Sequence, residues 1–185
     1  MRRFGQHIMK IIVINGMPQS GKSTFVNFCI NELNSWGREI STVDFVKKIA
    51  IECGWDKTKT PKNRKFLSDL KDLLTDWGDV PFKEVERDLR VWVFSFEQFG
   101  IPTKDCFYFI HCREPKEIRK FVERMGAETV LIRRESVENA LQSNHADAEV
   151  FDFDYDTVIE NNGNLKDLKD NAKKFLKERG WKKKW

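Results

Sequence analysis

An apolar strand, a glycine-bounded turn and a helix start follow one another without a gap, and this constrains the chain more than any other feature. Gly16-Met17-Pro18-Gln19-Ser20-Gly21-Lys22-Ser23 fits the pattern G-x-x-x-x-G-K-S. The run Ile11-Ile12-Val13-Ile14 just before it reads as a buried parallel strand over residues 10–15. Phe25, Phe28, Cys29 and Leu33 then recur at helical spacing over 22–36, with Gly37 as the expected stop. The pattern alone arises by chance, but strand, loop and helix in this order make a phosphate-binding loop. Its glycines let backbone N–H groups turn toward phosphate oxygens, and the helix N-terminus adds partial positive charge. In such a loop Lys22 reaches the β- and γ-phosphates and Ser23 ligates Mg²⁺ through its hydroxyl. Gly16, Gln19, Ser20, Gly21 and Thr24 complete the expected nucleotide contacts, so ATP and Mg²⁺ are the expected cofactors. The alternative is a plain Gly-rich strand–helix turn.

The rest of the chain alternates strands with helices. Strands are expected at 38–43, 105–112, 128–133 and 156–160, and helices at 45–53, 114–125 and 165–177. Ile118, Phe121, Val122 and Met125 are expected to face inward from the second of these helices, and Leu168, Ala172, Phe175 and Leu176 from the third. Two consecutive helical patterns at 62–99, split by Gly78-Asp79-Val80-Pro81, interrupt the alternation. Phe66, Leu67, Leu70, Leu73, Leu74 and Trp77 share one face there, and Val85, Leu89, Trp92, Val93 and Phe96 another. The expected fold is therefore α/β: a three-layer sandwich of the P-loop kinase type, with a five-stranded parallel sheet and a helical insert. One domain fills the chain, with 10–61 and 100–178 as core, 62–99 as a substrate-side insert and 134–152 as a lid.

Location of charge and cysteine narrows the partners. The net charge of +4 sits at the ends: residues 166–185 carry nine basic groups against three acidic, and residues 1–10 carry three basic groups and no acid. The body between is acidic, which argues against nucleic acid. No apolar run approaches the ~18–20 residues that span a membrane. Residues 1–8 are too short and polar for a secretory signal. Cys29, Cys53, Cys106 and Cys112 form no C-x-x-C pair and read as reduced thiols of a cytoplasmic protein.

Elimination points to the chemistry. Guanine recognition needs an Asn-Lys-x-Asp element; Thr103-Lys104-Asp105 precedes a strand and does not fit. Motor ATPases end a strand in acidic residues, whereas the third strand here ends His111-Cys112-Arg113-Glu114. A small-molecule kinase remains.

The chain resembles the phage deoxynucleoside monophosphate kinases, within the wider nucleotide-kinase group that includes dephospho-CoA kinase. The likeness is carried by the phosphate loop, by Val43-Asp44-Phe45-Val46-Lys47-Lys48-Ile49-Ala50, and by Phe109-Ile110-His111-Cys112-Arg113-Glu114-Pro115. It is also carried by Leu131-Ile132-Arg133-Arg134, Ser143-Asn144-His145-Ala146-Asp147 and the N-x-G-x-L stretch Asn161-Asn162-Gly163-Asn164-Leu165. The resemblance implies a nucleoside monophosphate acceptor; dephospho-CoA or another small metabolite is the alternative acceptor, and a non-catalytic nucleotide-binding protein the alternative class. A homodimer stays open. Near Arg64 the chain departs from the family pattern, which has a Gly-Thr that is missing here.

Phosphoryl transfer needs positive groups around the moving phosphoryl. Arg113 and Arg133 at strand tips are expected in catalysis, and Arg134 in holding ATP. Asp44 at the tip of the second strand is expected to orient the acceptor or hold Mg²⁺, against a plain helix N-cap role. Lys47, Arg64, Arg87 and Arg90 are expected on the acceptor. The aromatic residues of the insert are expected mostly in the core.

Overall fold

A computed structural model describes residues 9–138 and 149–181. Strand β1 (Lys10–Asn15) forms where β-branched residues run together, and Ile12, Val13 and Ile14 are fully buried. Such burial contributes ~1.5–3 kcal/mol per side chain. The other strands are β2 (Gly37–Ser41), β3 (Phe107–His111), β4 (Glu128–Arg133) and β5 (Thr157–Glu160). They form a five-stranded sheet in the order β2-β3-β1-β4-β5, with every pairing parallel.

Alternation along each strand sends side chains to two different layers. Ile12, Ile14, Phe107, Phe109, Val130 and Ile132 face α1 (Lys22–Leu33) and the C-terminal helix, which meet through Phe25, Leu168 and Phe175. Val13, Tyr108 and Ile110 face the opposite layer, where Phe82, Val85, Leu89, Ile118 and Phe121 cover them.

The remaining helices are α2 (Asp44–Glu52), α3 (Pro61–Gly78), α4 (Val80–Gln98), α5 (Pro115–Met125), the short α6 (Glu135–Glu138) and the C-terminal α7 (Leu165–Glu178). Thr60 caps α3 by accepting from the Asn63 N–H, with Pro61 at the first helical position. A capping box of Asn164 and Asp167 starts α7.

Local reading and structure differ at several places. Gly37 does not stop α1; the chain leaves the helix at Asn34, with φ +54°, makes a short 3₁₀ turn and begins β2 at Gly37. Asp44 is the first residue of α2 and not its cap. The insert is present, but α4 is built into the sheet's cover, and only α3 stands outside it. The apolar stripe of α3 is not a core face: Leu73 is 65% exposed and Trp77 82%, and the buried residue of that helix is Lys71. Phe94 of the next helix and Phe99 just after it are also exposed, as is Val122 of α5. No described helix is long and apolar enough to cross a membrane.

Candidate active site

The phosphate loop leaves β1 at the carboxyl edge of the sheet, where α/β folds bind ligands. Both of its glycines are dictated by space. A Cβ on Gly16 would sit 2.3 Å from the Ile132 carbonyl oxygen, and one on Gly21 would sit 2.4 Å from Asn161 Nδ2. Gly21 takes φ +96° and Gln19 takes φ +65°, so the loop winds through left-handed backbone before α1 begins. Turns of this kind point successive N–H groups into one concavity that suits anions.

Side chains from distant segments fix this loop. Asn15, fully buried, accepts from the Gly16 N–H at 2.7 Å and donates to the Arg113 carbonyl at 3.0 Å and the Tyr155 hydroxyl at 2.6 Å. Tyr155 in turn donates to the Val150 carbonyl at 2.8 Å. On the other side Asn161, buried after β5, donates to the Ser20 carbonyl at 2.8 Å. The Ser20 hydroxyl is buried and has no hydrogen-bond partner among the described residues.

Lys22, the first residue of α1, folds back and donates through Nζ to the Gly16 and Met17 carbonyls at 2.6 and 2.7 Å. It thus lies across the loop into which a phosphate group would be drawn. Ser23 and Thr24 follow in the first turn, with Ser23 exposed. The glycine cradle, the orphaned Ser20 hydroxyl and the lysine over the loop fit the phosphates of a nucleoside triphosphate. Ser23 offers Mg²⁺ one oxygen, which suits an ion that keeps waters and phosphate oxygens as most of its ligands.

A cleft of about 310 Å³ opens at the tip of the edge strand β2, between α2 and α4. Asp44, Lys48, Glu84, Arg87 and Asp88 supply its charged groups. Asp44 accepts from the Ser41 N–H at 2.8 Å and pairs with Lys47 at 3.2 Å, and its side chain remains 45% exposed. Arg87 pairs with Glu84 at 2.5 Å. Asp88 is held by Arg38 at 2.5 Å and by the Tyr108 hydroxyl at 2.7 Å. Burial pushes the Asp88 carboxyl up, but its bonds from Arg38 and Tyr108 outweigh that and hold it below the ordinary range. Burial and the Asp88 carboxylate both push the Tyr108 phenol far up.

Of the residues singled out in the sequence, the structure brings Asp44 and Arg87 to this cleft. It does not bring Arg64 or Arg90. Arg64 donates to the Lys59 carbonyl at 3.2 Å on the exposed start of α3, and Arg90 pairs with Glu86 at 2.8 Å. Neither lines the cleft. Asp44 opens α2 after β2, Ser23 lies in the first turn of α1 after β1, and β3 separates these two strands in the sheet.

Arg113 lies in the corner between β3 and α5, and the two carboxylates beside it, Glu114 and Glu117, hold Lys71. Arg133 ends β4 in a two-pronged pair with Glu138, at 2.5 and 3.0 Å, at the start of the expected lid. Arg134 is exposed beside it. Residues 139–148 of that lid, including the stretch Ser143-Asn144-His145-Ala146-Asp147, lie outside the described residues, as do residues 1–8 and 182–185.

Loop, strand order and insert agree. The fold is of the P-loop kinase type. No protein-family model matches the chain, and no curated protein sequence matches it. Among solved structures it is similar to dephospho-CoA kinase from Campylobacter jejuni, at 14% identity and a TM-score of 0.47, over 92% of this chain and 97% of that one. It is similar to a sugar kinase from Janibacter, at 12% identity and a TM-score of 0.44, over 92% and 95%. It is also similar to shikimate kinase from Bacteroides thetaiotaomicron, at 13% identity and a TM-score of 0.44, over 92% and 99%.

Four contributors to that site escape a reading by motif. Asn161 lies in the N-x-G-x-L stretch, which signals the segment but not its bond to Ser20. Asn15 is a polar residue ending an apolar strand, a local anomaly that could have marked it. Lys48 lies in the Val43–Ala50 stretch with no role of its own there and Asp88 carried no signal, because their place depends on how α2 and α4 meet.

Proposed function

We propose that the protein is an ATP-dependent kinase that moves the γ-phosphate onto a small molecule bound in the β2–α2–α4 cleft. The observation that carries this is the phosphate loop, with Lys22 laid across a cradle that only glycine at positions 16 and 21 leaves open. ATP phosphates would displace Lys22 Nζ from the Gly16 and Met17 carbonyls and take its charge instead. Bound magnesium would neutralise phosphate charge, with Ser23 as its protein ligand. Arg113, Arg133 and Arg134 are the cations proposed for the transferring group, supplied from the tips of β3 and β4.

The cleft's charges favour a hydroxyl-bearing acceptor. Its carboxylates, Asp44, Glu84 and Asp88, outnumber its cations, Lys48 and Arg87. Asp44 is a half-exposed cleft carboxylate just past the carboxyl end of β2, where it can accept the proton that a hydroxyl nucleophile loses. Dephospho-CoA and sugars are acceptors of this kind. The nucleoside monophosphate acceptor is the second reading, supported by Arg87 and Lys48 in the same cleft. An acceptor phosphate is already ionised and needs no base.

Coupled ADP release with Mg²⁺, ATP and a panel of nucleoside monophosphates, dephospho-CoA and sugars tests both. A single acceptor class should raise ADP release well above the acceptor-free rate. No stimulation by any of them would remove the kinase reading.

A further inference from the structure

The corner between β3 and α5 holds a buried charge cluster that the phosphotransfer reading does not use. Lys71, 6% exposed, reaches it from the middle of α3. Its Nζ pairs with Glu114 at 2.5 Å and with Glu117 at 2.8 Å. The buried Cys112 thiol donates to the same Glu117 oxygen at 3.2 Å, and Glu117 Oε1 has no partner among the described residues. One cation thus faces two carboxylates, Glu117 buried and Glu114 partly open to solvent. Burial works against the charged lysine, but Glu117 and Glu114 outweigh it and hold the ammonium protonated. A buried pair of this kind gives little net stability, and breaking it is costly because a charge is left uncompensated. What it specifies well is geometry.

The same corner is bonded on its other side to the phosphate loop. The Arg113 carbonyl accepts from Asn15, whose side chain also accepts the Gly16 N–H, and the Cys112 N–H donates to the Ile14 carbonyl at 3.3 Å. One short segment, residues 112–117, therefore touches the α3 insert through Lys71 and the root of the phosphate loop through Asn15.

We propose that Lys71 is a positioning residue: by clamping Glu114 and Glu117 it sets the 112–117 corner, and through Asn15 it sets the phosphate loop. The insert can then act on nucleotide binding without touching the nucleotide. The ATP part of the test rests on the kinase reading, and the backbone part does not.

The variant is Lys71→Met, with Asp79→Asn as control. Asp79 joins α3 to α4 and pairs with Lys120 of α5 at 2.6 Å, so its loss also weakens insert docking, and asparagine accepts the same left-handed backbone. Two quantities are measured in the full chain: exchange of the Gly16 amide, corrected for each variant's global stability, and affinity for ATP·Mg²⁺. Lys71→Met should speed Gly16 exchange at least tenfold and weaken ATP about tenfold, while Asp79→Asn leaves both within twofold of wild type. Gly16 exchange in Lys71→Met no faster than in Asp79→Asn would overturn the proposal. If wild type binds no ATP, the kinase reading falls and the exchange result still decides. If Lys71→Met does not fold, Glu114→Gln decides, with an expected threefold rise in Gly16 exchange; no change there also overturns it.

Discussion

Asn161→Ala is the substitution whose two consequences separate most cleanly. The wild-type amide donates to the Ser20 carbonyl at 2.8 Å in a buried place, and its Nδ2 fills the space that a side chain on Gly21 would need. Alanine leaves that carbonyl without its donor and opens a void beside the loop. An orphaned buried carbonyl costs ~1–3 kcal/mol. For a chain of this size ~2 kcal/mol lowers the melting temperature by about 4–8 °C. If the bond serves only the fold, nothing further happens. If it holds the loop in its phosphate-binding curve, ATP affinity falls as well, by about tenfold for ~1.4 kcal/mol. Asn161→Asp keeps the shape but sets an anion against the Ser20 carbonyl and near the phosphates, so its effect on ATP should be larger than that of alanine. Thermal melts with and without ATP·Mg²⁺, beside a direct ATP titration, measure both. A melting shift of the expected size with unchanged ATP affinity in both variants would refute the loop-holding role.

Lys22→Ala should lower turnover by about a hundred- to a thousandfold, the usual loss for one donor aimed at transition-state charge, with little change in melting temperature. A turnover within threefold of wild type would place the phosphate elsewhere. Asp44→Asn keeps an oxygen to accept the Ser41 N–H, so the β2–α2 turn should survive. It should cost ~10²–10⁴-fold in turnover if Asp44 takes a hydroxyl proton, and far less if the acceptor is a phosphate; a panel assay on the variant decides between the two acceptors. Asp88, held below its ordinary pKa by Arg38 and Tyr108, should stabilise the fold above the unfolded carboxyl's ~3.9 and lose that contribution as pH falls through its lower folded value. Melts of wild type and Asp88→Asn from pH 7 downward should therefore converge in acid, and a gap that stays constant would sink the assignment.

The loop and its flanks were legible because each signal there is local. A β-branched run, two glycines that sterics require and a helical repeat lie within 36 residues, and all agree. The α3 helix shows where that kind of reading ends. Its stripe of Phe66, Leu70, Leu73 and Trp77 is truly amphipathic, but periodicity names the apolar face and cannot say that anything covers it. The residue buried there is Lys71, which reads in sequence as solvent-facing. Its partners lie 43 and 46 residues away and become visible only when α3 meets α5. The local partners of Arg64, Arg87 and Arg90 were illegible for a related reason. Each was plausible as a phosphate contact by charge, but Arg87 and Arg90 found carboxylates one helical turn back, and Arg64 found a nearby carbonyl.

The distribution of charge leads to a last consequence for how the donor is held. The positive excess of the chain is at its ends, in residues 1–10 and 166–185, and the body that carries the loop is acidic. Attraction of ATP must then come from short-range sources: the turned N–H groups, the start of α1 and the Lys22 ammonium. Such contacts are made at hydrogen-bond distance in a partly closed loop, where salt screens them little. A basic tail, by contrast, acts over about a Debye length, ~10 Å at 0.1 M salt, and loses its pull as salt rises. Truncation after Trp181 removes Lys182, Lys183 and Lys184 while keeping the indole that packs edge-on against Phe107. ATP affinity of the truncated chain should stay within twofold of the full chain, and its modest salt dependence should be unchanged. A tenfold loss at low salt that vanishes at high salt would mean that the tail helps to gather the nucleotide, and the loop would no longer account for donor binding by itself.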